Sequence, residues 1–154
     1  MNLHVSTFIA GLLSLLLTHT TFGQDVPEGL TAGGRIGLTT GLSVKLYSEQ
    51  NTDALEAIVG VRDEALVVNL LYEFHRADFN VEGLRWYYGF GAGLTLFPQT
   101  AEYPRGLSAE GIVGLEYALP DAPLVFSLDY KPAFFLIGDP GLQAGGGLSC
   151  RYVF

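Results

Sequence analysis

His75 stands two residues from Glu73 in a segment that alternates between apolar and polar side chains. In an extended strand that spacing puts both on one face. An imidazole beside a carboxylate is the arrangement of a general base oriented by an acid. The other two histidines, His4 and His19, lie in the first 23 residues, so His75 would act alone. No serine nearby in sequence completes a nucleophile and base pair, which favours a plain hydrogen-bonded histidine. Cys150 is the sole cysteine, leaving no intramolecular disulfide and no cysteine-rich metal cluster. The run GFGAG at 89–93 lies inside a strand pattern and opens no helix, so it is not a dinucleotide fingerprint. With no metal-ligand cluster and no basic stripe, neither a cofactor nor a nucleic-acid partner is expected.

The remaining charges carry more information. Arg35, Lys45, Arg62, Arg85, Lys131 and Arg151, with Glu56, Glu73, Glu110, Glu116 and Asp129, occupy the polar parity of alternating segments. Six cations against five anions is close to neutral, so the net charge of −8 comes from turns and the lead-in. A water-facing surface would carry many more Lys and Glu. It would also have little use for Gly89, Gly91 and Gly93 in a row on its polar side. Both features suit a narrow interior, where small residues make room and buried charges must be paired to offset desolvation. The eleven charges and His75 are therefore expected to form a closed network rather than an ion pathway.

Strands must position these residues. The period of two runs through 33–47, 53–61, 66–75, 84–97, 107–119, 124–137 and 142–154. Turn residues separate the segments, among them Arg62-Asp63-Glu64, 77–83, 98–106 as the longest loop, and 138–141. Pro132 requires a bulge or an unpaired edge position. That makes seven strands. The stretch 30–47 would extend roughly 60 Å, longer than one crossing of a bilayer, and Thr39-Thr40-Gly41 breaks it, so it is read as two strands and the total as eight.

Outside the first 23 residues no apolar run is long enough for a membrane helix, yet 49% of the chain is hydrophobic and mean hydropathy is +0.31. Barrel strands resolve this, because about 9 to 11 alternating residues suffice for each crossing. Tyr72, Phe74, Trp86, Tyr88, Tyr117 and Phe126 fall near strand ends on one side of such a sheet, with Tyr152 and Phe154, forming an aromatic girdle. At the N-terminus, FIAGLLSLLL has the length of a signal-peptide core. Thr21 and Gly23 supply the small residues of a cleavage site. The expected division is a signal peptide over 1–23 and one barrel domain over 24–154.

Over this whole mature length the chain resembles small bacterial outer-membrane β-barrels such as the transmembrane domain of OmpA. The alternation, the girdle, and an ending on Phe154 with Tyr152 two positions earlier carry the resemblance. It implies an all-β, antiparallel, up-and-down transmembrane barrel of eight strands, integral to the outer membrane and surrounded by its lipid. In that family the terminal aromatic motif is read by the barrel-assembly machinery, so Tyr152 and Phe154 become the assembly signal. The expected role is structural or accessory, without catalysis. Some barrels of this kind modify acyl chains of outer-leaflet lipid, which is the alternative for His75; a minor pore is another. A soluble calycin-like binder of apolar ligands would instead turn the apolar face inward. The expected external connections at Thr39, Arg62, Pro98 and Gly138 are short, unlike the long binding loops of many relatives.

Overall fold

The computed structural model describes residues 27–50, 52–96, 105–138 and 141–154. The expected leader, and residues 98–104 of the expected longest loop, lie outside the described residues. Eight strands follow in order: β1 Leu30–Gly37, β2 Thr40–Tyr47, β3 Asp53–Arg62, β4 Ala65–Arg76, β5 Leu84–Leu96, β6 Arg105–Ala118, β7 Leu124–Ile137 and β8 Gly141–Val153. Each pairs antiparallel with the next, and β1 pairs with β8 to close the barrel. Closure leaves no sheet edge unpaired. The stretch 30–47 does form two strands. Gly37 takes φ 141° at the break, a backbone that L side chains rarely adopt.

Three local expectations need correction. Arg62 belongs to β3, where it pairs with Ala65, and the turn is only Asp63 and Glu64. Both have positive φ, 48° and 65°, the primed hairpin geometry that matches strand twist. Arg105 and Gly106, expected in a loop, begin β6 and pair with Leu96 and Thr95. Pro132 sits at neither a bulge nor an edge. Its pairing with Ala144 of β8 is kept, while the ladder to β6 passes from Glu110↔Ala133 to Val113↔Tyr130, skipping the positions opposite Pro132 and Lys131. Proline has no N–H to give there. The register shift lies elsewhere, between Leu107 and Ser108.

The two parities face opposite media. Apolar side chains point outward: Leu142 is 71% exposed, Leu42 65% and Phe90 63%. Inside, Lys45, Glu73 and Lys131 have no exposed surface. A small apolar cluster of Ile58, Leu71, Tyr87 and Ile112 fills the middle of the interior. The burial is inverted relative to that of a water-soluble domain, and the described interior is lined mainly by charged and polar side chains.

Candidate functional site

The barrel has a basal end, where β1 begins and β8 finishes, and a distal end carrying the β1–β2 and β3–β4 turns. All eleven charged residues of the polar parity, and His75, are buried inside. They fall into groups along the axis.

Nearest the basal end, Glu116 is the hub. Its Oε2 accepts from Tyr47 at 2.8 Å, Arg151 Nη2 at 2.8 Å and Lys45 at 3.2 Å, and its Oε1 accepts from Arg85 at 2.7 Å. Lys45 also stands 2.7 Å from Glu73 and lies over the Tyr87 ring at 4.2 Å. Arg151 Nη1 binds Glu56 at 3.0 Å and Ser43 at 3.1 Å, while Ser43 donates to Glu56 at 2.5 Å. Charge-assisted bonds of this kind are the strong ones, and here water does not compete for them.

In the middle, Arg35 grips Asp129 through both guanidinium ends, at 2.5 and 2.6 Å. A Cβ on Gly147 would come within 2.2 Å of Arg35 Nη2, and one on Gly114 within 2.6 Å of the Tyr87 ring. These glycines are the space in which the two large side chains lie. Further out, Glu110 accepts from Lys131 at 2.7 Å, Asn69 at 2.8 Å and Ser108 at 3.0 Å. Gly93 leaves the room for this group, since a Cβ there would meet Glu110, Ser108 and Asn69. At the distal end Arg62 donates to Thr95 at 3.3 Å, its one side-chain hydrogen bond among the described residues, and lies 5.5 Å from the centre of the Phe135 ring.

His75 is not bonded to Glu73. Its Nε2 is 3.8 Å from Glu73 and 3.7 Å from Glu116, beyond hydrogen-bond reach. The hydrogen-bonded histidine expected from the sequence is not formed either: neither ring nitrogen has a hydrogen-bond partner among the described residues, and the ring packs instead against Tyr87 at 5.2 Å and Tyr47 at 5.5 Å. Among the described residues no group of three His, Cys, Asp or Glu side chains is arranged to hold a metal ion.

On the outer surface the aromatics expected in the girdle lie at the basal end, while Phe90, Tyr130 and Phe134 stand further along the strands. Phe74 touches Tyr72 at 5.2 Å and stacks on Tyr88 at 5.5 Å, and Trp86 stacks on Tyr88 at 5.3 Å. Trp86 donates to Asp78 at 2.7 Å, and Tyr72 donates to Asp53. Tyr117 and Phe126 pair across β6 and β7, and Tyr152 meets Phe154 at 5.1 Å. Each ring keeps its body on the apolar surface; Trp86 and Tyr72 turn their polar atoms to the basal edge.

Thr39, Ser43, Asn69, Ser108 and Ser127, none of them counted in the expected charge network, are buried as well. Their parity was the available signal, since each sits an even number of residues from an inward charge.

The fold and interior define an eight-stranded, closed antiparallel barrel with a charged core and an apolar coat. No family model and no curated protein matches the chain. Among solved structures it is similar to the N-terminal β-barrel domain of OprF from Pseudomonas aeruginosa, at 17% sequence identity and a TM-score of 0.54, over 80% of this chain and 95% of that one. At that identity the likeness is one of fold.

Proposed function

We propose that the protein is an integral outer-membrane barrel with a structural or accessory role, its interior closed by paired charges and without catalytic activity. The inverted burial supports this most directly. A surface bearing Leu142, Leu42 and Phe90 at more than 60% exposure is stable against hydrocarbon and not against water. The girdle fits a headgroup boundary, where ring bodies meet acyl chains and polar atoms meet water. An eight-stranded barrel has an interior that side chains fill, and here the Glu116 hub, the apolar cluster and the Glu110 group succeed one another along the axis. That favours a plug over a pore. His75, out of reach of Glu73, lacks the orientation a general base needs.

In this reading outer-membrane lipid surrounds the strands, residues 1–23 direct export, and Tyr152 with Phe154 is the motif that the assembly machinery recognises. The test is to separate inner and outer membranes and run the protein, unboiled and boiled, on a detergent gel. A fast-migrating unboiled band in the outer-membrane fraction is expected. A soluble periplasmic protein with no band shift would overturn the reading.

A further inference from the structure

Among the described residues, every exposed large apolar side chain but two lies on a strand. The exceptions are Phe79, 43% exposed, and Val81, 52% exposed, both in the β4–β5 turn at the basal end. That turn, 77–83, is held from both sides. The Trp86 indole donates to Asp78 at 2.7 Å, which ties the residue before Phe79 to the outer girdle, where Trp86 stacks on Tyr88 and Tyr88 on Phe74. At the other end the Val81 carbonyl accepts from the Leu84 N–H at 3.2 Å, and the Gly83 carbonyl accepts from the Ala118 N–H of β6 at 2.9 Å. Gly83 takes φ 77°, which suits glycine. Phe79 and Val81 are therefore presented at a fixed place beside the girdle.

We propose that this turn is an interfacial anchor, with Phe79 and Val81 inserted between headgroups and acyl chains in the lipid leaflet at the basal end. The inference rests on the outer-membrane reading, which puts lipid around the strands, and adds a contact beyond them. Trp86 marks the level. Its ring lies on the apolar coat and its N–H is turned to the basal edge, the posture of an indole at a membrane–water boundary, and its partner Asp78 directly precedes Phe79. Two apolar side chains continuous with that cluster carry the coat past the ends of β4 and β5. Insertion at the boundary removes their surface from water. Asp78 and Glu82, their neighbours in the chain, are exposed and stay among the headgroups, which limits how deep the turn reaches. Recognition is apolar, so zwitterionic lipid suffices as the partner.

The test places a nitroxide label at Phe79→Cys, Val81→Cys or, on the exposed β2–β3 turn, Glu49→Cys, each in the Cys150→Ala background, refolded into phosphatidylcholine vesicles. Collisions with oxygen, which concentrates among acyl chains, are compared with collisions with a water-soluble nickel chelate. The ratio of oxygen to nickel collisions should be several-fold higher at 79 and 81 than at 49. Ratios equal to that at 49 overturn the proposal. Should one variant fail to give the fast-migrating band, the other position decides. In the unlabelled protein, Phe79→Ser with Val81→Ser should shift the unfolding equilibrium in vesicles at least about tenfold towards the unfolded state, and an unchanged equilibrium also overturns the anchor. Trp86 separates the two readings, because brominated lipid quenches it in an embedded barrel whether or not the turn inserts. Quenched Trp86 with water-exposed labels removes the anchor and leaves the barrel in its membrane; unquenched Trp86 removes both.

Discussion

Arg35 of β1 reaches over Gly147 of β8 to clasp Asp129 of β7, so that one ion pair spans the seam where the barrel closes. The backbone ladder sets this up: Asp129 pairs with Gly147, and Gly147 with Gly37, leaving the middle strand without a side chain. Gly147→Val should therefore break the clasp without touching either charge. Cutting one partner from a buried pair costs about 3–5 kcal/mol. Urea unfolding in lipid vesicles should show a loss of that order, and an unchanged midpoint would contradict the role given to the seam.

The Arg35–Asp129 pair itself is separable from its burial cost. Arg35→Met alone and Asp129→Leu alone should each destabilise by about 3 kcal/mol or more, whereas the double replacement should recover most of the loss, because no orphan charge remains. A double-mutant cycle on the same unfolding assay checks this. Additive losses would mean that the two groups act separately.

Glu116 and His75 should behave oppositely although they are neighbours. Glu116 holds four donors, so Glu116→Ala should lower stability by at least about 3 kcal/mol and slow folding into vesicles. His75→Ala removes no hydrogen bond and loses only ring packing, at a cost of about 1 kcal/mol. It should also leave the acylation pattern of outer-membrane lipid unchanged by mass spectrometry. A changed lipid profile in that variant would revive the acyl-modifying reading.

The Asp63-Glu64 turn holds two side-chain-bearing residues at positive φ. Replacing the pair with Asn-Gly, the preferred sequence for this turn, should stabilise the barrel by roughly 1 kcal/mol. Thermal loss of the fast-migrating band is the readout. A destabilised variant would show that the acidic pair makes contacts beyond the turn.

Strand number and the inward or outward direction of each residue were legible because a period of two runs nearly unbroken through the chain, and a strand has only two faces. The break at Thr39 could be read for the same reason: a single strand over 30–47 would be too long. Partner choice was not legible. Lys45 of β2 meets Glu116 of β6, and Arg151 of β8 meets Glu56 of β3; such pairs depend on how far strands are staggered around the barrel, which no local pattern records. Pro132 misled for a related reason. A closed sheet has no edge to offer, so the missing donor is absorbed by a gap in one ladder.

Trp86 is the sole tryptophan and lies on the outer apolar surface beside Tyr88, with its indole N–H on Asp78 at the basal edge. Its fluorescence therefore reports directly whether that surface meets lipid. Refolded into vesicles of brominated phosphatidylcholine, the unmodified protein should be strongly quenched, and more by bromines high on the acyl chain than by bromines near its end. Emission indifferent to brominated lipid, from a protein that stays in the aqueous phase, would contradict the claim that this barrel wears its apolar face outward in a membrane.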